Sequence, residues 1–229
     1  MNIKKLVTSV LLVSFFLVTF LEAKNGAGIL PYSTRINSDG TKELVLLFRQ
    51  DNTQRFWSDF GGFVETKDGA GDDAFKKAAV REGNEESYEF FNFTLDHLKD
   101  APFLKNIFPK SGDEYRTYLV QVPFSRARDV LAHKSKYLKA HPSANNESTN
   151  FIWISQDAFL KKIQEQIPSD QCFIDVPYGN QGKSVNVHIR KHAVYSLRQG
   201  RFVASGKECG ALTGFSQFFK GNLPPLKTP

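Results

Sequence analysis

Between residues 74 and 89 the sequence sets carboxylates along the stripe of a helix that ought to face a core. At about 100° per residue, Phe75, Ala78 and Ala79 share one side of that helix. With Phe75 at zero, Glu82 falls at about 340°, Glu86 at about 20° and Glu85 at about 280°, while Lys76, Lys77 and Asn84 lie opposite. An acidic run is commonly a solvated face, but two of these carboxylates continue the apolar stripe. Like charges at such spacing repel and resist desolvation, so they take up protons unless a cation compensates them. Magnesium is such a cation, a hard ion that accepts carboxylate oxygens while keeping waters and binding substrate phosphates. Gly83, inside the helix, costs about 1 kcal/mol against Ala, and breaches of local rules gather at functional sites.

The flanking chain reads as strands and further helices. Apolar runs over 27–31 and 43–49 are separated by Asn37-Ser38-Asp39-Gly40, which predicts a hairpin. Residues 60–64 form another extended segment. Asp68-Gly69-Ala70-Gly71 then breaks the pattern, and Asp72 or Asp73 is expected to cap the helix. Further on, 115–122 is rich in β-formers, 126–139 reads as a helix, 151–154 as a buried strand and 157–166 as a helix. This irregular alternation predicts an α/β fold with a mixed sheet and helices on its faces. Beyond 168 the pattern is ambiguous: 184–192 alternates like a strand, 188–197 reads equally as a helix, and the segment from Leu223 reads as a loose end.

The order Gly61-Gly62-Phe63-Val64-Glu65, then Ala78-Ala79-Val80-Arg81-Glu82-Gly83-Asn84-Glu85-Glu86, resembles the Nudix hydrolases. Their signature is G-x5-E-x7-R-E-U-x-E-E-x-G-U, with U a bulky aliphatic residue. The likeness extends upstream to the run over 43–49 and to Trp57-Ser58-Asp59-Phe60, and downstream to Glu147 and Phe151-Ile152-Trp153-Ile154. Four departures stand out. Asp73 takes the place of the first Glu, 66–70 reads as an insertion, Gly83 replaces the aliphatic residue, and Tyr88 stands at the final glycine.

The resemblance implies an α/β/α sandwich over 24–167, followed by a C-terminal extension over 168–229. It implies Mg2+ or Mn2+ held by Glu82, Glu85 and Glu86, with Glu85 or Glu86 dominant, and with the Gly62 carbonyl close to the ion. Arg81 would orient a carboxylate through a bidentate pair, the alternative being an ordinary helix ion pair. Glu147 would serve as a loop base or additional ligand. The implied catalytic set is therefore Glu85, Glu86, Arg81 and Glu147, and the implied reaction is hydrolysis of a pyrophosphate bond in a nucleoside diphosphate linked to another moiety. A second reading keeps the same fold as a weak or inactive module that binds a nucleotide or a protein. Trp57 or Phe56 would stack on a base or fill the core. His133, His141, His188 and His192 have no spacing that demands a metal.

Residues 1–23 read as an export signal, with Lys4 and Lys5 ahead of an uncharged run over 6–21 and a fair cleavage site at Ala23. The run is shorter than the roughly 20 apolar residues of a membrane span, with an uncleaved anchor as the alternative. A secreted or periplasmic protein with no span left after cleavage is expected. Cys172 and Cys209 fit no zinc pattern, and either a disulfide or two thiols is open. With 41% hydrophobic residues and 21 Phe, the chain of 229 residues is suited to a packed core rather than to disorder. The net charge of +6 is spread without a basic stripe, which argues against duplex nucleic acid and suits the phosphates of a small nucleotide substrate. The sequence does not set the oligomeric state.

Overall fold

Eleven strands form one mixed sheet among the described residues. The structure, a computed structural model, describes residues 25–165, 172–178, 183–190, 194 and 197–222. The expected export signal, His192 and the segment from Leu223 lie outside them. Asn37 and Thr41 close the predicted hairpin through an N–H to carbonyl bond of 2.9 Å, and Asp39 caps the Thr41 N–H at 2.9 Å. The turn joins β1 (Gly26–Ile36) to β2 (Lys42–Asp51). Short strands β3 (Trp57–Ser58) and β4 (Phe60–Phe63) lead to the carboxylate helix α1 (Gly71–Ser87). Then come β5 (Phe103–Ile107), β6 (Glu114–Gln121), helix α2 (Ala127–Ala140), β7 (Ser148–Ser155) and helix α3 (Gln156–Glu165). Strand β1 runs parallel to β6 and antiparallel to β2 and β4, so the sheet is mixed as expected.

The period-two alternation of β1 and β2 divides the core. Ile29, Val45 and Leu47 face one side, where Phe75, Ala78 and Ala79 of α1 and Val130 of α2 pack on them. Leu30, Leu46 and Phe48 face the other, against Phe159 and Ile163 of α3. Helices therefore cover both faces, which is the α/β/α arrangement. Helix α1 begins earlier than expected: Ala70 occupies the cap without a side-chain bond, and Asp72 in the first turn pairs instead with Arg116 at 2.8 Å.

Beyond α3 the chain adds to this core. The hairpin of β8 (Cys172–Tyr178) and β9 (Lys183–Ile189) joins one end of the sheet through β3, where Trp57 lies beside Ile189. The hairpin of β10 (Arg201–Ala204) and β11 (Lys207–Gly210) joins the other end through β5. Helix α4 (Ala211–Asn222) buries Phe215 and Phe219, each worth about 1.5–3 kcal/mol of burial. The rings of Phe218 and Phe219 stand edge-on to Tyr32 at 5.8 and 5.1 Å. The strand reading of the 184–192 region holds over Lys183–Ile189, whereas Val194 and residues 197–199 are helical. Cys172 in β8 and Cys209 in β11 sit on the first and last strands of the sheet order and are free thiols. Burial pushes the Cys172 thiol up to about 11. No helix among the described residues is long and apolar enough to cross a membrane.

Candidate metal centre

The double glycine lets α1 and the sheet approach closely. Gly61 pairs with Gly28 and Gly62 with Ala27 in the β1–β4 ladder. A Cβ on Gly62 would run into the Glu82 carboxylate, and one on Gly61 into the Tyr115 hydroxyl and the Gly28 backbone. Across that gap the helical stripe continues as its spacing predicts. Glu82 and Glu86 are buried, at 8% and 2% exposure, while the Glu85 side chain is 52% exposed. Glu147 arrives from the loop before β7, tied to the β2 end by its carbonyl, which accepts the Asn52 N–H at 2.8 Å. Glu82, Glu86 and Glu147 each bring a carboxylate oxygen within 4.8 Å of the others. Glu85 stands outside this group, 3.5 Å from Arg81 Nη1.

Glu86 is held at both oxygens. The Gly61 N–H donates to one at 2.6 Å, and the guanidinium of Arg49 pairs with the other. The Arg49 side chain is 3% exposed, and its Nε and Nη1 make no hydrogen bond among the described residues. Burial nevertheless pushes the Glu86 carboxyl well above its ordinary value; Arg49 opposes the rise, and the charges of Glu82, Asp59 and Glu147 add to it. Burial raises Glu82 too, against the hydrogen bond and charge of Arg81. Two carboxyls pushed towards protonation beside a third make a pocket of negative charge that a proton or a cation must neutralise. The donors are all carboxylate oxygens, the set that suits a hard divalent ion, so the residues fit Mg2+ or Mn2+.

Arg81 does bind a carboxylate in bidentate fashion, and that carboxylate belongs to Asp68. Nε and Nη2 of Arg81 reach the two Asp68 oxygens at 3.4 and 3.1 Å, and Nη1 donates to Glu82 at 2.6 Å. Burial alone would raise Asp68, but Arg81 and the Glu65 N–H outweigh it and hold the carboxyl below its ordinary value. Asp73, which the signature count had put in this place, is exposed in the first turn of α1. The extra residues therefore lie after Asp68 rather than over 66–70. Asp68 follows Gly62 by the signature's own interval, a signal the sequence carried.

The other departures also have structural answers. Tyr88 ends α1 at φ 57°, the left-handed backbone that a glycine ordinarily takes, with its side chain 1% exposed. At Gly83 the space of an aliphatic side chain is filled by neighbours: a Cβ there would lie 3.0 Å from Ile29 Cδ1 and from the Phe93 ring. Asn84 fixes that ring by bonding both backbone groups of Phe93, at 2.7 and 2.9 Å.

Arg49, Asp59 and Tyr115 escaped the sequence reading. Arg49 had a signal, since it follows Val45 and Leu47 at the inward parity of β2. Asp59 had none: its buried carboxyl accepts from Thr117 at 2.9 Å and Tyr115 at 3.2 Å, partners more than fifty residues away. Burial raises it in spite of those bonds. Trp57 is a core residue at 6% exposure. His133 bonds the Tyr88 carbonyl through Nε2 at 2.8 Å, and His141 Nδ1 lies 3.1 Å from the Tyr137 carbonyl.

No protein-family model matches the chain, and no curated relative does. Solved structures do. A Caenorhabditis elegans Ap4A hydrolase in a binary complex is 16% identical, with a TM-score of 0.42 over 87% of this chain and 99% of that one. A MutT/Nudix family protein from Enterococcus faecalis is 11% identical, with a TM-score of 0.40 over 74% of this chain and 52% of that one. The Nudix domain of Shewanella oneidensis NrtR, solved with ADP-ribose, is 9% identical, with a TM-score of 0.38 over 61% and 77%. The chain is similar to these solved Nudix proteins, and the site described above is built from its own residues.

Proposed function

We propose that the chain is a divalent-metal-dependent pyrophosphohydrolase acting on a nucleoside diphosphate linked to another moiety. The observation that carries this reading is the convergence of Glu82, Glu86 and Glu147 beside the double glycine, with one oxygen of each within 4.8 Å of the others. These three carboxylates would hold the ion, with the Gly62 carbonyl nearby. Bound Mg2+ or Mn2+ would neutralise charge on the diphosphate and lower the pKa of a water.

The protein's own groups set the rest. Arg81 holds Glu82 and Glu85 in place while anchored on Asp68. Arg49 fixes Glu86 through their buried pair, with its Nη1 3.7 Å from Asp51 Oδ2. As the alternative to ligating the ion, Glu147 would take the proton of the attacking water; one P–O bond forms, the bridging P–O bond breaks, and the proton ends on the leaving phosphate. Glu85, half-exposed and 3.5 Å from Arg81 Nη1, would be the further carboxylate available to an ion accompanying the phosphates. The signal-like residues 1–23 support a secreted or periplasmic enzyme.

The test is release of mononucleotide from ADP-ribose, dinucleoside polyphosphates, NADH, nucleotide sugars and nucleoside triphosphates, with Mg2+ and with chelator. Metal-dependent cleavage of at least one phosphate anhydride is expected. Tight binding without turnover across the panel would favour a nucleotide-binding module instead.

A further inference from the structure

The β8–β9 hairpin continues the sheet outward on the face that carries the carboxylates. Arg49 of β2 pairs with Ser58 of β3 in register, so both side chains lie on the face where Glu86 is bound. Trp57 and Ile189 are paired neighbours whose side chains enter the opposite core, so Phe56, His188 and Arg190, one residue away, fall on the Glu86 face. Phe173 pairs with His188 across β8 and β9 and shares that face.

These side chains form a platform. The His188 ring stacks on Phe173 at 4.3 Å, inclined 19°, and meets Phe56 edge-on at 4.6 Å. Phe173 is 39% exposed, and Phe56 and His188 are half-buried. Burial holds the His188 imidazole below its ordinary value, which favours the uncharged ring. The Arg190 backbone is fixed by its N–H to the Trp57 carbonyl at 2.7 Å, and its charge is felt by Asp51 and by Asp59, whose own charge reaches Glu86. Two strand spacings, about 10 Å, separate the row of Arg49 from that of His188. A nucleoside spans about that interval between its base and its phosphates.

We propose that the C-terminal hairpin supplies the nucleobase site, with the Phe56–His188–Phe173 platform stacking the base and Arg190 facing the phosphates between base and metal. This rests on the pyrophosphohydrolase reading for the place of the phosphates. It assigns a role to the part of the chain that follows the signature-bearing core, and the flat rings predict tolerance of more than one base, because every base offers a π-face.

The test is equilibrium binding of α,β-methylene-ADP and of methylenediphosphonate, which has no base, each with Mn2+. H188A and F56A are expected to weaken α,β-methylene-ADP about 5- to 150-fold, the range that stacking of one base contributes, and to leave methylenediphosphonate within twofold. H188F, which restores a flat ring, is expected to recover most of the loss, and R190Q to weaken both probes. Mn2+ affinity, followed by paramagnetic resonance, reports that the fold is intact. Unchanged α,β-methylene-ADP binding in H188A and F56A, equal loss of both probes in them, or no binding by the wild-type chain would overturn the proposal. The two readings fail separately: a chain that binds through the platform but cleaves nothing refutes the enzyme alone, whereas turnover that persists with these variants binding normally refutes the platform alone.

Discussion

The Tyr88 hydroxyl is bonded to both backbone groups of Ser148, accepting its N–H at 3.1 Å and donating to its carbonyl at 3.2 Å. Ser148 in turn donates its hydroxyl to the Glu86 carbonyl at 3.0 Å. The end of the helix that carries Glu82 and Glu86 is thereby tied to the loop that carries Glu147. Tyr88→Phe keeps the ring and removes the tie, leaving the N–H of the fully buried Ser148 without this acceptor while its carbonyl keeps the Lys134 ammonium. A loss of about 1–3 kcal/mol is expected, measurable by urea unfolding. Mn2+ affinity should fall about tenfold as the Glu147 loop loosens, on the scale of other outer-shell substitutions at metal sites.

The two aspartates before the R-E-x-x-E-E run should behave differently. Asp68→Asn breaks the bidentate pair with the part-buried Arg81 and is expected to cost about 1–3 kcal/mol and to depress turnover with it. Asp73→Asn, on an exposed first turn, should stay within about 0.5 kcal/mol of the parent. Thermal melts and initial rates of both variants decide whether Asp68 or Asp73 supports the arginine.

Gly83 predicts an outcome against the usual helix rule. Restoring a bulky aliphatic with Gly83→Leu gains helix propensity but drives its side chain into Ile29 and Phe93, already 3.0 Å from a Cβ at this position. Overpacking of this kind costs about 1–3 kcal/mol, so the variant should melt below the parent. A higher melting temperature would show that Phe93 does not fill that space.

Glu82 and Glu86 give the stability a pH dependence that a metal should cancel. Both carboxyls are raised in the folded chain above the unfolded value of about 4.3. The protonated forms therefore favour the metal-free fold: that contribution is full below about pH 4.3 and is lost as pH rises through the raised folded values. Metal binding needs the ionised forms and adds its own stabilisation. Saturating Mg2+ should raise the melting temperature more at pH 8 than at pH 5. An equal or larger shift at pH 5 would contradict this.

The parts of the fold and the site written in local order were legible in the sequence. The 3.6-residue period placed Glu82 and Glu86 inward, because a helix converts spacing directly into direction, whereas Glu85, which the resemblance put among the ligands, lies half-exposed outside the cluster. The Asn37–Gly40 turn gave the first hairpin. Helix α4 and strands β5, β8, β10 and β11 were not read; β5 and β10, for example, pair across about 100 residues, so their partnership is not written in their own pattern. Asp59 was illegible for the same reason: nothing beside it in sequence announces that Thr117 and Tyr115 will meet it. Asp68 is legible at the signature's interval forward from Gly62, whereas the interval back from Arg81 crosses the extra residues and falls on Asp73.

The central claim is that the buried carboxylates hold a catalytic divalent ion, and Glu86→Gln tests it most directly, because the change keeps the shape and removes the charge. The decisive measurement is the initial rate of phosphate-anhydride cleavage against Mg2+ concentration, for this variant and for the parent. The account predicts a rate at least about 100-fold lower at saturating Mg2+, the scale on which electrostatic groups at a reacting centre contribute, in a chain that still melts cooperatively, at a temperature lowered by the loss of the buried Arg49 pair. Parent-like rates and Mg2+ dependence in Glu86→Gln would contradict it.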